Sequence, residues 1–507
     1  MRVACLAALL LLAAASPAMA QPSQIVISQP AEATTMDPGR STQVLTVNYF
    51  VNLYDTLTRW DTALQLQPGL ATSWKAVNET TWEFTLRPGV KFHDGAPFTA
   101  EDVKATFERN MQTGKTVVTP GFTTIEAVQV VNPLTIRIVT KKPDPLIAVR
   151  MAQMGSQILP ARLTTDDGVK EIARRPVGTG AYRFVEWVKD ERLVMQANHD
   201  WWGWEGKAPG VERVIWKPIP DEFPRIVALE KGDVDVITNV PPDRMKSIAE
   251  GKTTKVVSVP STRVVALSTN STQPPLSDKR VRQAMAYALD VPALIKNLYA
   301  GMGKAYSGGL VDTDFGYNPA LKPYPYNPAK ARALLTQAGY PGGIDVTLYF
   351  GNGTMVNDKA LIEAIVDMWS KVGIRGRIEM MEMGARQRMN NERAIPPGGL
   401  FLANPQSTLL DADGSLWRIF HPTGFNGKYW SGSQPGQRFY DLMEQARYSL
   451  DPKKRKALYA EATAIFHDEK PSVELFQEVV VYGVNRRVSF KPRADYRLIV
   501  SEMSLAR

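Results

Sequence analysis

Cysteine is all but missing. The 507 residues hold one, Cys5, inside an apolar run near the start. With no second thiol the chain forms no internal disulfide and no thiolate–zinc centre. Histidine is nearly as scarce: His93, His199, His421 and His467 are the only four, and none stands three to five residues from another. The His-Glu-x-x-His spacing, the Gly-x-Ser-x-Gly elbow and the Gly-x-x-x-x-Gly-Lys phosphate loop are all absent. Asp411-Ala412-Asp413-Gly414 opens like a calcium loop but lacks the third acidic position and the closing glutamate. Nothing assembles a nucleophile, a base and an orienting group. Neither an enzyme nor a cofactor is expected.

Long apolar runs are missing too. The one near the start, Ala4 to Ala15, is shorter than the ~20 residues that span a bilayer. Preceded by Arg2 and followed by Ala18-Met19-Ala20, it reads as a secretory leader, residues 1–20, cut after Ala20. Cys5 lies too early in that leader to carry a lipid anchor. The expected place of the protein is the periplasm, as a soluble monomer. Lys and Arg total 60 against 51 Asp and Glu, a net charge of +9 that loss of Arg2 lowers by one. A moderate positive charge serves solubility and surface field. No basic block interleaved with aromatics occurs, so nucleic acid is not an expected partner.

What is present is a chain too long for one hydrophobic core, which rarely exceeds ~250–300 residues. Trp82, Phe84 and Leu86 alternate with Glu83, Thr85 and Arg87, a strand with one buried face. Pro88-Gly89 and Asp94-Gly95 are turns, and Thr99 with Asp102 predicts a capped helix through Val103 and Phe107. Leu134, Ile136 and Ile138 alternate after a turn at Asn132-Pro133, which predicts a hairpin. A helix from Ile226 ending at Gly232 and a strand Val234–Ile237 continue a βαβ pattern, so the class is α/β. Ser277 is read as the cap of a helix with Val281, Ala284, Met285 and Ala288 on one face. Asn327-Pro328 and Asp451-Pro452 place a capping side chain before a first-turn proline. Leu361, Ile365, Met368 and Trp369 form a further apolar stripe closed by Gly373. The Trp201-Trp202 pair is read as filling the edge of a lobe.

The order of these parts resembles a family. Leu53-Tyr54-Asp55-Thr56-Leu57, Pro68 to Trp74, Trp82 to Gly95 and Phe98 to Val103 follow one another as in the family 5 extracellular solute-binding proteins. Pro176 to Tyr182, Val281 to Asp290 and Tyr326 to Leu335 are similar to its later blocks. These proteins are peptide-, opine- and nickel-binding components of bacterial ABC importers. The resemblance implies an α/β, two-lobe periplasmic binding protein (Venus-flytrap) fold with an extra subdomain on the N-terminal lobe. Lobe I would comprise 21–58, 180–272 and 478–507, the appended subdomain 59–179, and lobe II 273–477. The crossing segments would lie near Ser268–Asn270 and Phe476–Val480. The implied partners are a small-molecule ligand and an ABC transporter permease in the inner membrane.

In peptide-binding relatives an Asp just before an Asp-x-Asp turn pairs with the ligand's amine. Here the turn is Asp411-Ala412-Asp413, and Thr408 occupies the amine-binding position. The position of the carboxylate-binding Arg of the dipeptide binders falls near Asn352. With neither charge present, a free dipeptide fits poorly, since a buried ammonium without a partner costs several kcal/mol. Tyr49, Asn52, Asn270, Asn404, Thr408, Asp411 and Trp430 are the candidate ligand-binding residues, suited to a neutral ligand held by hydrogen bonds and an aromatic plate. Arg386 and Arg388 are the alternative, a carboxylate fork. Phe420-His421-Pro422 is similar to a segment of the nickel-binding branch. Peptide, opine, glycoside, metal chelate and other metabolites stay open as ligands. A role in feeding a chemoreceptor, a chaperone role, and a secreted carbohydrate-active hydrolase suggested by the tryptophan content are the rival functions.

Overall fold

Val256, Val257, Val259, Val264, Val265 and Leu267 belong to a stretch rich in β-branched residues, which favours a strand. In the computed structural model this stretch is the strand Thr254–Thr269, which runs antiparallel along Ser472–Asn485. The model describes residues 23–506 except 352–354, 383, 384, 387, 390, 391, 393, 423, 425, 431 and 432. The expected leader and Asn352 lie outside the described residues.

The two long strands stitch an eleven-stranded sheet together. Towards one side, Ser472–Asn485 pairs with Val236–Ile237. Parallel Gln24–Gln29 and Arg213–Pro218 come next, then antiparallel Arg192–Ala197 and Tyr182–Val188. Towards the other, Thr254–Thr269 pairs with Gly399–Ala403, followed by parallel Ile344–Gly351 and Ile374–Met381. Each side has its own core. Ile27, Phe50, Trp216 and Tyr482 share one; Leu267, Met285, Leu348 and Trp369 share the other. The fold is thus two-lobed and α/β.

The strands cross between the lobes where their pairing is broken. Pro260 faces Val479 and Val264 faces Gln477, with a bulge between them. Pro260 has no N–H to donate, and a bulge bends the strand that carries it. The expected crossing near Ser268–Asn270 is therefore corrected. Ser268 pairs with Ser472 and Phe401, inside the second lobe, and the partner of Phe476–Val480 is Val259–Val265. Pairing register is set by contacts far apart in sequence, which the alternation of one strand does not reveal.

A third core belongs to the appended subdomain. Its four strands run in the order Ala71–Asn78, Thr81–Leu86, Thr135–Thr140, Ile125–Asn132. Phe84, Leu86, Ile136 and Ile138 point into it, packed by Phe107 of the helix Ala100–Met111. That helix starts on the expected capping box: the Thr99 N–H donates to Asp102 Oδ2 at 2.8 Å. Leu134 lies in the hairpin turn rather than in the strand. Gly232 closes its helix with φ +83°, a left-handed position that costs glycine little. The helix cap expected at Ser277 is instead Asp278, whose Oδ1 accepts from the Arg280 N–H. Asn327 and Asp451 cap as expected, each before proline.

Candidate functional site

The lobes meet around a small cavity of about 30 Å³. Four pieces of chain line it. The helix Val44–Leu53 supplies Val44, Val47 and Asn48, and the hairpin after Thr58 supplies Trp60 and Leu64. Met154 comes from the subdomain side and Asp495 and Arg497 from the C-terminal segment. The second lobe contributes Gln406, Ser407, Thr408 and Leu410, in the loop that follows Gly399–Ala403.

That loop is tied down by its backbone. Val264 N–H donates to Pro405 O at 3.0 Å, Ser407 N–H to Thr262 O at 3.0 Å, and Phe315 N–H to Leu410 O at 2.8 Å. Arg418 Nη2 donates to Gln406 O at 3.0 Å. The Ser407 hydroxyl donates to Asp314 Oδ1, and the Val311 N–H reaches Asp314 Oδ2. Burial pushes the Asp314 carboxyl up to about 7 against these two hydrogen bonds, with Asp411 and Asp312 adding repulsion.

The opposite wall is an arginine–carboxylate network. Arg493 donates to both oxygens of Asp495, at 2.9 and 2.8 Å, and to Glu502 at 3.0 Å and Trp60 O at 3.1 Å. Burial raises Asp495, but Arg493 outweighs it and holds the carboxyl below its ordinary range. Arg497 is held less well. Its Nη2 donates to Ala152 O at 3.1 Å, and its Nε lies 3.6 Å from Asp495 Oδ2, outside hydrogen-bond distance. Burial, reinforced by Arg493, lowers the Arg497 pKa despite Asp495 and Glu502.

Thr408 lines this cavity, as its place in the sequence suggests. The other candidates fall elsewhere. Asn52 is buried on the same helix as Asn48, donating to Asn48 O and Leu498 O and accepting from the Val500 N–H. Tyr49 packs on Trp216 with ring centroids 4.9 Å apart. Asn270 donates to Ile395 O and accepts from Thr272. Asn404 is half-buried two residues before Gln406. Trp430 sits among Phe439, Tyr440 and Phe466 in a helical core of the second lobe.

Asp411 is buried and bound by Arg455 at 2.8 Å and by the Tyr459 hydroxyl at 3.0 Å. Burial raises its carboxyl and Arg455 opposes that rise. Asp413 joins the lobes: Arg150, from the subdomain, donates to its Oδ2 at 2.9 Å while also holding Asp144 at 2.8 Å. Arg447 reaches the other Asp413 oxygen at 3.0 Å and lies 3.5 Å over the Trp417 ring. Arg386 stacks over Phe401 at 5.0 Å, and Arg388 is exposed. His421 stacks on Trp417 at 4.4 Å and lies 3.3 Å from Glu444. Among the described residues no cluster of three or more His, Cys, Asp or Glu is placed to hold a metal. Sequence reasoning did not find Gln406, Ser407, Asp495 and Arg497. The charge-rich run Arg493 to Arg497 in an otherwise mixed tail is the signal that was available.

Residues 65–427 match the family described as bacterial extracellular solute-binding proteins, family 5 Middle. Over 485 residues the chain is 29% identical to the glutathione-binding protein GsiB of Salmonella typhi, covering 94% of this chain and 93% of that one. The periplasmic binding protein DppA of Helicobacter pylori, solved with the peptide STSA, superposes with a TM-score of 0.81 at 25% identity. That match covers 96% of this chain and 99% of the other. NikA of Brucella suis, solved with Fe(III)-EDTA, gives 0.85 at 22% identity, covering 95% and 100%, a likeness of fold.

Proposed function

The chain belongs to family 5 of the bacterial extracellular solute-binding proteins, and we propose that it captures one small solute between its lobes and hands it to an ABC permease. The observation that carries this is the cavity whose walls come from both lobes, Asn48 and Arg497 on one side and Gln406 to Thr408 on the other. A ligand there touches both lobes only when they are closed. It therefore shifts the population towards the closed form by its extra contacts in that form, and a permease that reads the closed surface is loaded only then.

Relatives are named for glutathione and one is solved with a four-residue peptide, so we place the ligand at or below that size, with the lobes standing further apart around it than the cavity of about 30 Å³ shows. The protein works as a monomer in the periplasm after removal of residues 1–20, with no turnover of its ligand. The lobes are 21–58, 180–272 and 478–507 against 273–477, with 59–179 appended to the first, except that the boundary at 272 moves back to the bulge between Pro260 and Val264. Val257 and Val259 pack on the first core and Val265 and Leu267 on the second, which supports the shift.

A thermal-shift screen of the exported protein against a metabolite library tests the reading, because a ligand selective for the native state raises the melting temperature. X-ray scattering with the best hit should then show compaction. No hit, or a scattering profile unchanged at saturation, refutes it. Thr408→Asp, which puts a carboxylate on the cavity wall, should weaken the hit at least tenfold. Unchanged affinity removes Thr408 from the site.

A further inference from the structure

Two buried arginines show how this fold can saturate a guanidinium. Arg225 spreads its guanidinium over the carbonyls of Ile219, Pro220, Thr238 and Asn239. Arg282 does the same with Leu276, Ser277, Glu469 and Lys470, and adds the Glu469 carboxylate at 3.2 Å. A guanidinium carries five donors in a fixed fork, and these two residues show how the fold satisfies them when the role is structural.

Arg497, half-buried with its side chain 16% exposed, is less committed than these two. It makes one hydrogen bond through its guanidinium, to Ala152 O, and its Nη1 has no partner among the described residues. It is also one of the residues that wall the cavity. The acids near it are shared: Asp495 pairs with Arg497 only at ion-pair distance, 3.6 Å from its Nε. Asp495 gives both oxygens to Arg493, which also takes Glu502, and Asp314 is occupied by Ser407 and the Val311 N–H. The cavity therefore offers fixed, unspent N–H donors and positive charge at one end. Val44, Val47, Leu64 and Met154 supply an apolar stretch, and Thr408 lines it from the second lobe. No lining carboxylate is left to receive an ammonium group.

We infer that the solute is a compact carboxylate, with its carboxylate on the Arg497 fork and its apolar body against Val44, Val47 and Met154. The inference rests on the solute-binding reading and adds the ligand's charge to it. Planar bidentate pairing is what an arginine fork does best, and a half-buried guanidinium with one hydrogen bond has donors left for an anion. The pKa of Arg497, lowered chiefly by burial, agrees with a cation short of counter-charge. Because Arg497 belongs to the first lobe and Thr408 to the second, the anion end would dock before closure and the hydroxyl would add its contact on closure.

The test compares wild type, Arg497→Lys and Arg497→Gln as full exported chains. One arm extracts whatever small molecule co-purifies and determines its charge by mass spectrometry. The other measures binding of matched acid and amide probes: N-acetylalanine with N-acetylalaninamide, succinate with succinamide, benzoate with benzamide. The expected result is an anionic co-purified molecule, or an acid probe bound at least about tenfold more tightly than its amide, the usual scale of a charge-assisted hydrogen bond. Arg497→Gln should lose either preference and Arg497→Lys should keep part of it, with circular dichroism unchanged in both. A neutral or cationic co-purified molecule, or an acid preference that survives in Arg497→Gln, overturns the inference while leaving solute binding intact. No co-purified molecule and no bound probe overturns the inference alone, since the solute-binding reading is decided separately by the metabolite screen.

Discussion

Removing Arg150 should open the protein. Its guanidinium is the middle of a buried chain, Asp144–Arg150–Asp413, whose first link lies within the subdomain and whose second crosses to the other lobe. All three side chains are at most 5% exposed. Breaking a buried ion pair costs about 3–5 kcal/mol when it strands a charge. At the crossing link Asp413 is not stranded, since it keeps Arg447 as an ion pair at 3.0 Å. Asp144 loses its countercharge and keeps the Leu146 N–H at 2.9 Å, a cost within the subdomain that falls on open and closed forms alike. The loss is then nearer that of one charge-assisted hydrogen bond, about 1.5–3 kcal/mol, or roughly 10- to 150-fold in the closed-to-open ratio.

Arg150→Gln should therefore show either a larger radius of gyration without ligand or a correspondingly weaker apparent affinity. Which one appears depends on how closed the free protein is, since affinity scales with the competent fraction. Asp413→Asn should do the same, and the double variant should cost less than the two single effects combined. Asp144→Asn, which leaves the crossing bond in place, is the control for damage within the subdomain. Unchanged scattering together with unchanged affinity in Arg150→Gln would refute the idea that this bond holds the lobes.

The remaining predictions concern pH and packing. Asp314, raised to about 7 by burial, keeps in the native state a proton that the unfolded chain gives up near pH 4. Stability should fall as pH rises between those values, and Asp314→Asn should remove that slope, gaining on wild type by on the order of a few kcal/mol at pH 8, read from urea midpoints. His93 is lowered to about 4 by burial, its Nε2 on Gly180 O and its Nδ1 accepting from the Gly178 N–H. The unfolded chain takes up a proton near pH 6.5 that the native state refuses. Stability should thus fall as pH drops from 6.5 to 4, and His93→Gln should flatten that limb. Gly180→Ala should destabilise by about 1–3 kcal/mol, because its Cβ would lie 2.5 Å from Leu53 C and 2.6 Å from Asn52 O, backbone atoms at the end of a buried helix. A thermal midpoint equal to wild type would refute that close approach.

Features written within a few consecutive residues were readable from the sequence. The Thr99–Asp102 capping box, the caps at Asn327 and Asp451 and the strand through Phe84 all depend on neighbours three or four positions away. The cap expected at Ser277 missed by one residue, because serine and aspartate side by side offer the same acceptor and the choice is made by which can reach the Arg280 N–H. Site residues are a different problem. Asp411 and Asp413 form an acid-rich turn that looks ready for a ligand, yet their countercharges, Arg455, Arg447 and Arg150, lie 34 to 263 positions away. Asn52 and Asn270 have the right chemistry, but their amides are spent on backbone groups that only the fold brings near.

The same accounting explains why Arg497 escaped notice and why it matters. A polar side chain binds a solute with what remains after the protein has used it, and that remainder cannot be read from residue type. Most polar groups of this cleft are already committed: Asn48 to the Leu498 N–H and Gln29, Ser407 to Asp314, Asp495 to Arg493. Each lobe thereby keeps its own wall rigid before the lobes meet, so closing need not be paid for by ordering side chains. Specificity is then left to the few uncommitted groups, and on the first lobe the guanidinium of Arg497 is the charged one. A cleft built in this way selects its guest by the guest's charge first and by its shape second.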